Sequence, residues 1–461
     1  MKSYLTFSCI LFSFAVITGC QKDDDLTTTD GNTTNSWIYS EMKNNYLWLD
    51  EIKDYKNYNE GDSPEEFFNS LISSNEKKNK NGQTYWYSYM EKKYGVSKVS
   101  EYAENTYGME YAFYSIKGRT GYFARILYVL PNSPAKKAGV KRGMWVKKIN
   151  NQSITSENRS LLSGGNGITL SVYEGQYTSG DELTGEIKVG PEVAMYENPF
   201  QKDTVLIGEN GIKIGYLAYN HFSTGPTGYE DKTYDRQMAS IFQNFKSADV
   251  KEFILDLRYN PGGYLDCALL LSSYLVPSSS LKNVFCEVNY NSKSIFRAKT
   301  YYFKDTVQSN LNLERVYILT GEWTASASEA VINGLKPMMD VVQVGDTTEG
   351  KNLGSVAIKN DKYEWILHPI VAKIANAKGE GDYWTGIVPT PGCVFEELRN
   401  GASLGELGTP DDHMVKIALK HMGAVSEDAI PTKTNSIEYI HDFNLSSSSL
   451  KRKSISSIRI N

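Results

Sequence analysis

The sequence has 461 residues, of which 40% are apolar and 22% are charged, so it can build several hydrophobic cores. At about 150 residues per domain, this length predicts roughly three domains. The net charge of −5 gives no reason to expect nucleic-acid binding, and the five histidines and five cysteines show neither a metal-ligand spacing nor a disulfide framework, so we expect no metal and no cofactor.

The first residues have the pattern of an export signal. Lys2 precedes a mostly apolar run, 5–18, that is too short for a comfortable membrane span, so residues 1–19 are predicted to be a signal peptide. The segment Ile17-Thr18-Gly19-Cys20 resembles a bacterial lipobox, in which the cysteine is acylated, and the acidic run after it resembles the export signal of surface-exposed lipoproteins in Bacteroidetes. These resemblances imply a membrane anchor at Cys20 and an outer-membrane, surface-exposed location in the cell envelope. A cysteine placed there by chance is the alternative.

Residues 20–95 divide into a tether and a helical domain. Residues 20–35 are rich in Thr, Asn and Asp and contain little to bury, which indicates a flexible tether. In residues 36–95, large apolar side chains recur at helical intervals. The segment Ser63-Pro64-Glu65-Glu66 combines an N-cap, a proline at the first helical position and a glutamate at the third, which predicts a helix start. We expect packing from this domain, with a lid or partner role at most, and no chemistry.

Residues 98–190 change to short strands separated by glycine turns. From Val129 to Asn150 the sequence follows the pattern VxPxSPAxxAGVxxGxxVxxIN, and this run resembles the PDZ domain. PDZ domains take an extended peptide as an added strand and hold its terminal carboxylate on backbone N–H groups. The candidates for the carboxylate-binding loop are Tyr107, Gly108, Met109 and Glu110. The anionic Glu110 suits such a ligand poorly, and a small β domain without a ligand is the alternative.

Residues 196–423 are predicted to form an α/β core with parallel strands, because strand-like apolar runs alternate with helical patterns. The run 318–320 leads into a small-residue turn that carries Ser326 and Ser328, and a short helical pattern follows. Such a junction brings a serine to a place where free backbone N–H groups meet the positive end of the helix dipole. Lys351 follows the next apolar run and can return to the same edge of the sheet, which suits a Ser/Lys nucleophilic pair.

The same residues also have a purely structural interpretation. Serine is a preferred N-cap, and Glu329, three residues after Ser326, would complete a capping box. Lys351 would then be an ordinary solvated cation. Spacing alone does not decide between the two interpretations.

The segment DLRYNPGG, residues 256–263, is a second place where chemistry is expected. A strand ends there and the chain turns through Asn-Pro-Gly-Gly, which frees backbone N–H groups where no Cβ intrudes. Beside Ser326, these groups would stabilise a tetrahedral oxyanion. A plain tight turn is the alternative.

Together, the PDZ-like run, DLRYNPGG, TASASEAVINGL and TTEGKNLGS resemble, in this order, the C-terminal (tail-specific) processing proteases, which are serine peptidases of family S41. The resemblance implies a crotonase- or ClpP-like α/β core that hydrolyses polypeptides. It assigns the nucleophile to Ser326, the first serine of the SASE element, and the general base to Lys351, which lies 25 residues later and follows a glycine. It implies an oxyanion hole from the N–H of Ala327 and one N–H from Gly262 or Gly263.

The chain departs from the family pattern near the lysine. Glu349 stands where the family often has an aromatic residue, Ser355 where it often has a glutamine that orients the lysine, and Pro337 where some members have an acidic residue. The remaining candidates for an orienting partner are Ser355, Glu329 and Asp340. A Ser-His-Asp triad with His221 or His368 is an alternative, although neither histidine lies in a recognisable motif.

The sequence therefore predicts a multidomain α+β serine endopeptidase that acts on polypeptides and is anchored to a membrane. A catalytically inactive, peptide-binding surface lipoprotein is the alternative that the departures near Lys351 favour, and a glycan-binding role, prompted by the 32 tyrosines, is another. Residues 424–461 are rich in Ser and Lys and are predicted to be a loosely ordered tail, of which the part 437–443 can dock on the core.

Overall fold

The structure, a computed structural model, describes most of the chain beyond the tether. The described residues are 33–80, 83–93, 103–116, 121–173, 184–399, 403–426, 439–441 and 458–460. The predicted signal peptide and Cys20 lie outside them. Within these ranges, no helix combines the length and the apolar character that a membrane span requires.

The N-terminal region begins with helices and ends in short strands. Its elements are α1 (Thr34–Asn45), α2 (Pro64–Ser70), β1 (Lys78–Lys80), β2 (Gln83–Tyr85) and β3 (Tyr89–Lys92). The predicted helix start is confirmed, because Ser63 N–H donates to Glu66 Oε2 at 3.1 Å and Glu66 N–H donates to Ser63 Oγ at 3.4 Å. The helical prediction holds for the first part of the region only, since its later described residues include three short strands, β1, β2 and β3.

This region does not form a separate core. Its buried side chains, among them Ile38 and Phe67, share one hydrophobic cluster with Leu353 and Leu367 of the following α/β core. Burial of apolar surface contributes about 25 cal/mol per Å², so this shared cluster fixes the N-terminal region against the core.

Residues 103–195 form a largely antiparallel β structure. Its elements are β4 (Glu104–Thr106), β5 (Met109–Ile116), β6 (Phe123–Val129), α3 (Pro134–Lys137), β7 (Trp145–Ile149), β8 (Gln152–Ser153), β9 (Ile168–Tyr173), β10 (Gly185–Val189) and β11 (Val193–Met195). The main sheet has the order β10-β9-β7-β6-β5, and β11 pairs with β4. Ser133 caps α3, because its Oγ accepts Lys136 N–H at 3.0 Å.

The predicted α/β core is present. Its elements are β12 (Phe200–Ile207), β13 (Lys213–Tyr219), α4 (Thr233–Ser247), β14 (Glu252–Asp256), α5 (Leu265–Leu275), β15 (Val284–Tyr290), β16 (Lys299–Tyr302), β17 (Arg315–Thr320), α6 (Ala327–Leu335), β18 (Asp340–Gly345), β19 (Leu353–Ser355), β20 (Ile358–Lys359), β21 (Trp365–His368), β22 (Ile370–Ala375) and α7 (His413–His421). The central sheet has the order β12-β13-β14-β17-β18, and all of its pairs except β12-β13 are parallel. Helices α4, α5 and α6 contribute to the largest buried cluster, and α7 contributes to a second one.

Two further short strands come from the predicted tail. They are β23 (Tyr439–His441) and β24 (Ile458–Arg459). β23 pairs with β5 of the antiparallel sheet, and β24 joins a second core sheet of order β16-β15-β22-β19-β24. A third sheet has the order β20-β21-β3, and its β21-β3 pair ties the N-terminal region to the core. The described parts of the tail therefore contribute to two sheets.

The central sheet determines where a site can form. The segment 256–263 follows the carboxyl end of β14, Ser326 follows that of β17, and Lys351 follows that of β18. These strands are parallel neighbours, so their carboxyl ends meet at one edge of the sheet, where open α/β sheets commonly bind ligands.

Candidate active site

Ser326 joins β17 to α6 in a strained backbone conformation. Its φ of 63° and ψ of −115° lie in a region that residues with a Cβ rarely adopt, at a cost of order 1–3 kcal/mol. Thr324 fixes the preceding turn, because its Oγ1 donates to Leu257 O at 2.8 Å. Ser326 is buried, and its N–H donates to Glu329 Oε2 at 2.8 Å. Its Oγ has no hydrogen-bond partner among the described residues, so the capping contact formed here is the one from Ser326 N–H to the Glu329 carboxylate.

Lys351 is equally buried. Its Nζ has no hydrogen-bond partner within the described part of the chain and lies 4.0 Å from the centre of the Tyr87 ring. Burial lowers the pKa of Lys351 well below the usual lysine range, and the charges of Glu76, Glu349 and Glu329 oppose this shift only in part. A lowered pKa favours the neutral amine that a general base requires.

The side chains of Ser326 and Lys351 are not hydrogen-bonded to each other, since each polar atom lacks a partner in the described ranges. Their backbones are nevertheless held together by Glu329. Its Oε2 accepts the N–H groups of Ser326 and Lys351, and its Oε1 accepts Gly350 N–H at 2.6 Å and Thr348 Oγ1–H at 2.5 Å. Burial raises the pKa of the Glu329 carboxyl, and these hydrogen bonds counteract that effect. Glu329, expected as a partner of the lysine side chain, instead orients both backbones.

The other two candidate partners of Lys351 lie elsewhere. Asp340 is exposed at the first residue of β18, whereas Lys351 follows the last one, so Asp340 is at the wrong end of the strand. Ser355 is buried on β19 but makes no hydrogen bond to Lys351 Nζ. Neither residue takes the place of the glutamine expected from the family pattern.

The N-terminal region contributes side chains that the sequence analysis did not assign to the site. Tyr87 and Tyr85 both donate their hydroxyls to Glu349 Oε1, the former at 2.9 Å. Lys78 Nζ donates to Gly350 O at 3.0 Å and to Trp384 O at 2.7 Å, and it also donates to Glu349 O. The Tyr-Trp-Tyr run at 85–87 is the available sequence signal, but it indicates packing as readily as a site.

These contacts explain why Glu349 is tolerated before Gly-Lys. Its carboxylate accepts two tyrosine hydroxyls and lies 3.7 Å from Lys78 Nζ, so the half-buried charge is both hydrogen-bonded and paired. The clamp of Lys78, Tyr85, Tyr87 and Glu349 fixes the loop that carries Lys351.

The candidate oxyanion donors differ in availability. Gly262 N–H already donates to Asn260 Oδ1 at 2.8 Å. The N–H groups of Gly263 and Ala327 donate to no acceptor among the described residues. A Cβ at Gly262 would lie 2.6 Å from Ser326 Cβ and 2.9 Å from Ser326 Oγ, so the Asn-Pro-Gly-Gly turn packs directly against the serine. Of the two glycines, Gly263 has the free donor and Gly262 allows the close approach.

A buried ionic network supports this turn from behind. Arg258 binds Asp256, Glu397 and Asp412, with Nη1 at 2.5 Å from Glu397 Oε2 and 2.9 Å from Asp412 Oδ2. Arg142, from the antiparallel sheet region, binds Glu397 at 2.8 Å and Asp412 at 3.2 Å. The two guanidinium groups lower the pKa of Glu397 although burial opposes this. No local pattern pointed to Glu397 or Asp412, because charged residues far apart in the chain form the network.

The two histidines do not complete a triad with Ser326, whose Oγ has no partner among the described residues. His368 Nε2 lies 3.1 Å from Glu91 Oε1, and its ring stacks on Tyr89. His221 Nδ1 lies 3.8 Å from a Glu197 oxygen. In the described ranges, no group of three or more acidic, histidine or cysteine side chains is arranged to hold a metal.

The expected carboxylate-binding loop of the antiparallel region is closed. All four residues of this loop are buried: Tyr107, Gly108, Met109 and Glu110. Gly108 N–H donates to Thr106 Oγ1 at 2.9 Å, and a Cβ at Gly108 would lie 2.3 Å from Ser133 Cβ. The loop packs against the Ser133 turn, so in this arrangement it does not offer the open set of N–H groups that the sequence suggested.

Comparison with known proteins gives separate matches for the α/β core and for the N-terminal region. Residues 213–390 match the family model described as peptidase family S41, and residues 33–89 match the model of the peptidase S41 N-terminal domain. A crystal structure of a Bacteroides fragilis protein described as an S41 protease superimposes with a TM-score of 0.73 at 31% identity, over 84% of this chain and 97% of that one. The chain belongs to peptidase family S41.

Curated relatives within the S41 family are more distant. The carboxy-terminal processing protease CtpA of Bacillus subtilis is 26% identical over 336 residues, which are 69% of this chain and 64% of the relative. CtpB of the same organism is 27% identical over 256 residues, which are 52% of this chain and 49% of the relative. The chain thus spans about half to two thirds of the length of these S41 relatives.

Proposed function

We propose that the protein is a serine endopeptidase that cleaves polypeptides with Ser326 as the nucleophile and Lys351 as the general base. Neutral Lys351 takes the Ser326 proton as Oγ attacks the peptide carbonyl. The N–H groups of Gly263 and Ala327 bind the oxyanion, and protonated Lys351 then gives its proton to the leaving amine. Water hydrolyses the acyl-enzyme, again with Lys351 as the base.

One observation carries this proposal. Ser326 Oγ and Lys351 Nζ are two buried polar atoms without a hydrogen-bond partner in the described part of the chain, and their backbones share one carboxylate oxygen. A buried polar group without a partner costs about 1–3 kcal/mol, so a structure retains such a pair at a cost in stability. A catalytic role for the two atoms accounts for that cost.

The mechanism requires a rearrangement of the two side chains. Lys351 Nζ lies over the Tyr87 ring and is not hydrogen-bonded to Ser326 Oγ, so the described arrangement corresponds to a resting state. Rotation of the lysine side chain, or of Ser326, brings the proton donor and acceptor together. Catalytic hydrogen bonds that tighten only with substrate are common in enzymes described without it.

The wider proposals concern recognition and location. We propose that residues 98–190 act as a PDZ-like module that recognises substrate C-termini by strand addition, on the basis of the 129–150 sequence pattern and the antiparallel sheet around β5. A crotonase- or ClpP-like fold of the core belongs to the same proposal. Lipidation at Cys20 and surface exposure on the outer membrane rest on the N-terminal sequence pattern alone.

The direct test is cleavage of an unfolded polypeptide by purified parent, Ser326→Ala and Lys351→Ala proteins. We expect both variants to lose at least about 10³-fold in kcat while their circular dichroism and melting temperature stay close to those of the parent. Ser328→Ala is the matched control for the serine, because its hydroxyl donates to Asn260 O and is not the proposed nucleophile. Cleavage retained by a clean preparation of Ser326→Ala would contradict the proposal.

The inactive, peptide-binding alternative makes a different prediction. It requires that the parent protein bind peptides with no turnover and that a fluorophosphonate never modify Ser326. The observation that favours this alternative is that Ser326 Oγ and Lys351 Nζ are not hydrogen-bonded to each other.

A further inference from the structure

The strand β24 contacts the oxyanion turn on one side and β19 on the other. Arg459 N–H donates to Gly263 O at 3.0 Å, and Ile460 N–H donates to Ser355 O at 3.2 Å. Gly263 supplies a proposed oxyanion donor, and Ser355 ends the strand that begins two residues after Lys351. The backbone of β24 therefore bridges the oxyanion turn and the strand beside the general base.

A polypeptide substrate would have to bind in the same place, between the oxyanion turn and β19. Its scissile carbonyl must reach Ser326 Oγ with the oxygen at Gly263 N–H, so the substrate chain must run beside Gly263. Extended peptides gain affinity by adding as a strand to an open sheet edge, and the edge within reach here is that of β19. β24 already pairs in parallel with β19 and forms a parallel bridge to Tyr264.

The side chains of this strand are bound as those of a ligand would be. The Arg459 guanidinium lies 5.6 Å from the centre of the Tyr264 ring. Its electrostatic interactions with Tyr264 and Tyr89 raise the pKa of Arg459 although burial opposes this. Tyr264 comes from the end of the oxyanion turn and Tyr89 from β3. Ile460 is 6% exposed and belongs to the main hydrophobic cluster of the core. The space between the oxyanion turn and β19, called here the substrate groove, thus accepts a basic side chain beside tyrosines, followed by a branched aliphatic side chain.

The C-terminal part of the chain also adds a strand to the antiparallel sheet. β23 adds antiparallel to the edge of β5, with Tyr439 opposite Ile116 and His441 opposite Tyr114. Strand addition to a sheet edge is the mode by which PDZ domains take peptides. Two short strands of one segment, β23 and β24, therefore occupy two places at which a substrate would bind.

We propose that β24 is an intramolecular competitive inhibitor that fills the substrate groove, and that substrates are extended segments with a basic residue followed by a branched aliphatic residue. This inference rests on the proposed peptidase function. A substrate must displace β24 before its carbonyl reaches Ser326, and β23 keeps the displaced segment close by. The resting position of Lys351 agrees with a groove that holds no scissile bond at Ser326 Oγ.

Competition of this kind has a defined kinetic signature. If only a fraction of molecules has an open groove, the apparent KM rises by the inverse of that fraction, while kcat at saturating substrate stays the same. A strand with a purely structural role would change stability and kcat instead.

The first experiment compares the full chain with a chain that ends at Ser457, using a fluorogenic peptide that contains Arg-Ile. We expect KM to fall by at least about threefold in the shorter chain and kcat to stay within about twofold. The synthetic peptide SISSIRIN, which corresponds to 454–461, should inhibit the shorter chain competitively. The same peptide with alanine in place of its arginine should inhibit at least about tenfold less well.

The second experiment keeps the full chain and changes one side chain. Arg459→Ala removes the contacts to Tyr264 and Tyr89 and should lower KM in the same direction as the truncation. Arg236→Ala, which removes an exposed arginine of α4, is the matched control and should leave KM unchanged. This pair of variants decides the matter even if the shorter chain folds poorly.

Two outcomes would overturn the inference. One is an unchanged or higher KM in Arg459→Ala, and the other is a lower melting temperature of the shorter chain with no gain in kcat/KM, since both describe a structural strand. A failure of the peptidase proposal itself looks different, because turnover would then be absent or independent of Ser326 in every form of the protein.

Discussion

The backbone N–H groups of Ser326 and Lys351 donate to the same oxygen, Glu329 Oε2, and each donor lies 2.8 Å from it. One buried carboxylate therefore sets the spacing of the proposed nucleophile and base, which are 25 residues apart in the sequence. The other carboxylate oxygen is taken by Thr348 and Gly350. Glu329 is thus a positioning residue for both halves of the site.

Glu329→Gln should lower both activity and stability. An amide offers a single acceptor oxygen, so its NH2 group would face N–H or O–H donors that now bind the carboxylate. We expect a loss of about 1–3 kcal/mol in the free energy of unfolding and a loss of about 10²-fold in kcat, because small misplacements of reacting groups are costly. Urea unfolding and steady-state kinetics measure the two effects.

Glu314→Gln, at an exposed position, is the control and should match the parent in both measurements. Parent-like kcat in Glu329→Gln would mean that the shared carboxylate does not position the pair.

Replacement of Lys351 by methionine should separate stability from activity. In the native protein burial lowers the pKa of Lys351, whereas in the unfolded chain the lysine stays protonated at neutral pH. The unfolded chain therefore binds more protons, and this lysine makes the native protein more stable as pH rises from the lowered pKa towards the usual lysine range. Lys351→Met lacks this penalty, so at neutral pH it should be more stable by about 1–3 kcal/mol and inactive.

The measurement is the free energy of unfolding of both proteins between pH 6 and pH 10. The difference should shrink as the pH rises, because the parent loses its penalty. A difference that is absent at pH 7, or that grows with pH, would show that Lys351 is not a buried, neutral amine.

Tyr87 should tune the basicity of Lys351. The face of an aromatic ring stabilises a cation by about 0.5–2 kcal/mol, so the Tyr87 ring favours protonated Lys351. Tyr87→Leu removes the ring and should move the acid limb of kcat/KM to lower pH by up to about one unit. Tyr87→Phe keeps the ring and loses only the hydroxyl that donates to Glu349, so its acid limb should not move to lower pH.

A purely structural role of Tyr87 predicts the opposite pattern. Both variants would then change the melting temperature and the height of the pH profile, and the acid limb would stay in place.

Gly262→Ala should abolish turnover with little effect on overall folding. The added Cβ would lie 2.6 Å from Ser326 Cβ and 2.9 Å from Ser326 Oγ, and φ at this position is +108°. Displacement of the serine or of the oxyanion turn should cost at least about 10²-fold in kcat. Gly190→Ala is the control, since a Cβ there meets nothing within 4 Å. Turnover near the parent level would contradict the close approach described for the turn.

The order of the core elements and the positions of Ser326 and Lys351 could be predicted because both depend on local patterns. A strand, a small-residue turn and a helix start can be read from neighbouring residues, and the 25-residue offset rests on the family resemblance. The expectation of an orienting side chain for Lys351 was less successful. Glu329 belongs to the site but acts on backbones, and Asp340 lies at the far end of β18.

The missed parts of the site come from distant segments. Lys78 and Tyr87 meet Gly350 and Glu349 across more than 260 residues of sequence, so no local pattern reveals the contact. The strands β23 and β24 of the tail could not be predicted for the same reason, because they pair with strand edges that exist only in the folded protein. The candidate carboxylate-binding loop at 107–110 shows the opposite case, since it was placed from neighbouring residues and is closed by packing against Ser133.

Ser326 is proposed as a nucleophile that Lys351 activates. Reaction of the parent protein with a fluorophosphonate, followed by mass-spectrometric mapping of the modified residue, tests this assignment. We expect one adduct on Ser326, formed at a rate that rises with pH along the acid limb of kcat/KM and that falls at least about 10²-fold in Lys351→Ala. An adduct elsewhere, or labelling of Ser326 at the same rate without Lys351, would contradict it.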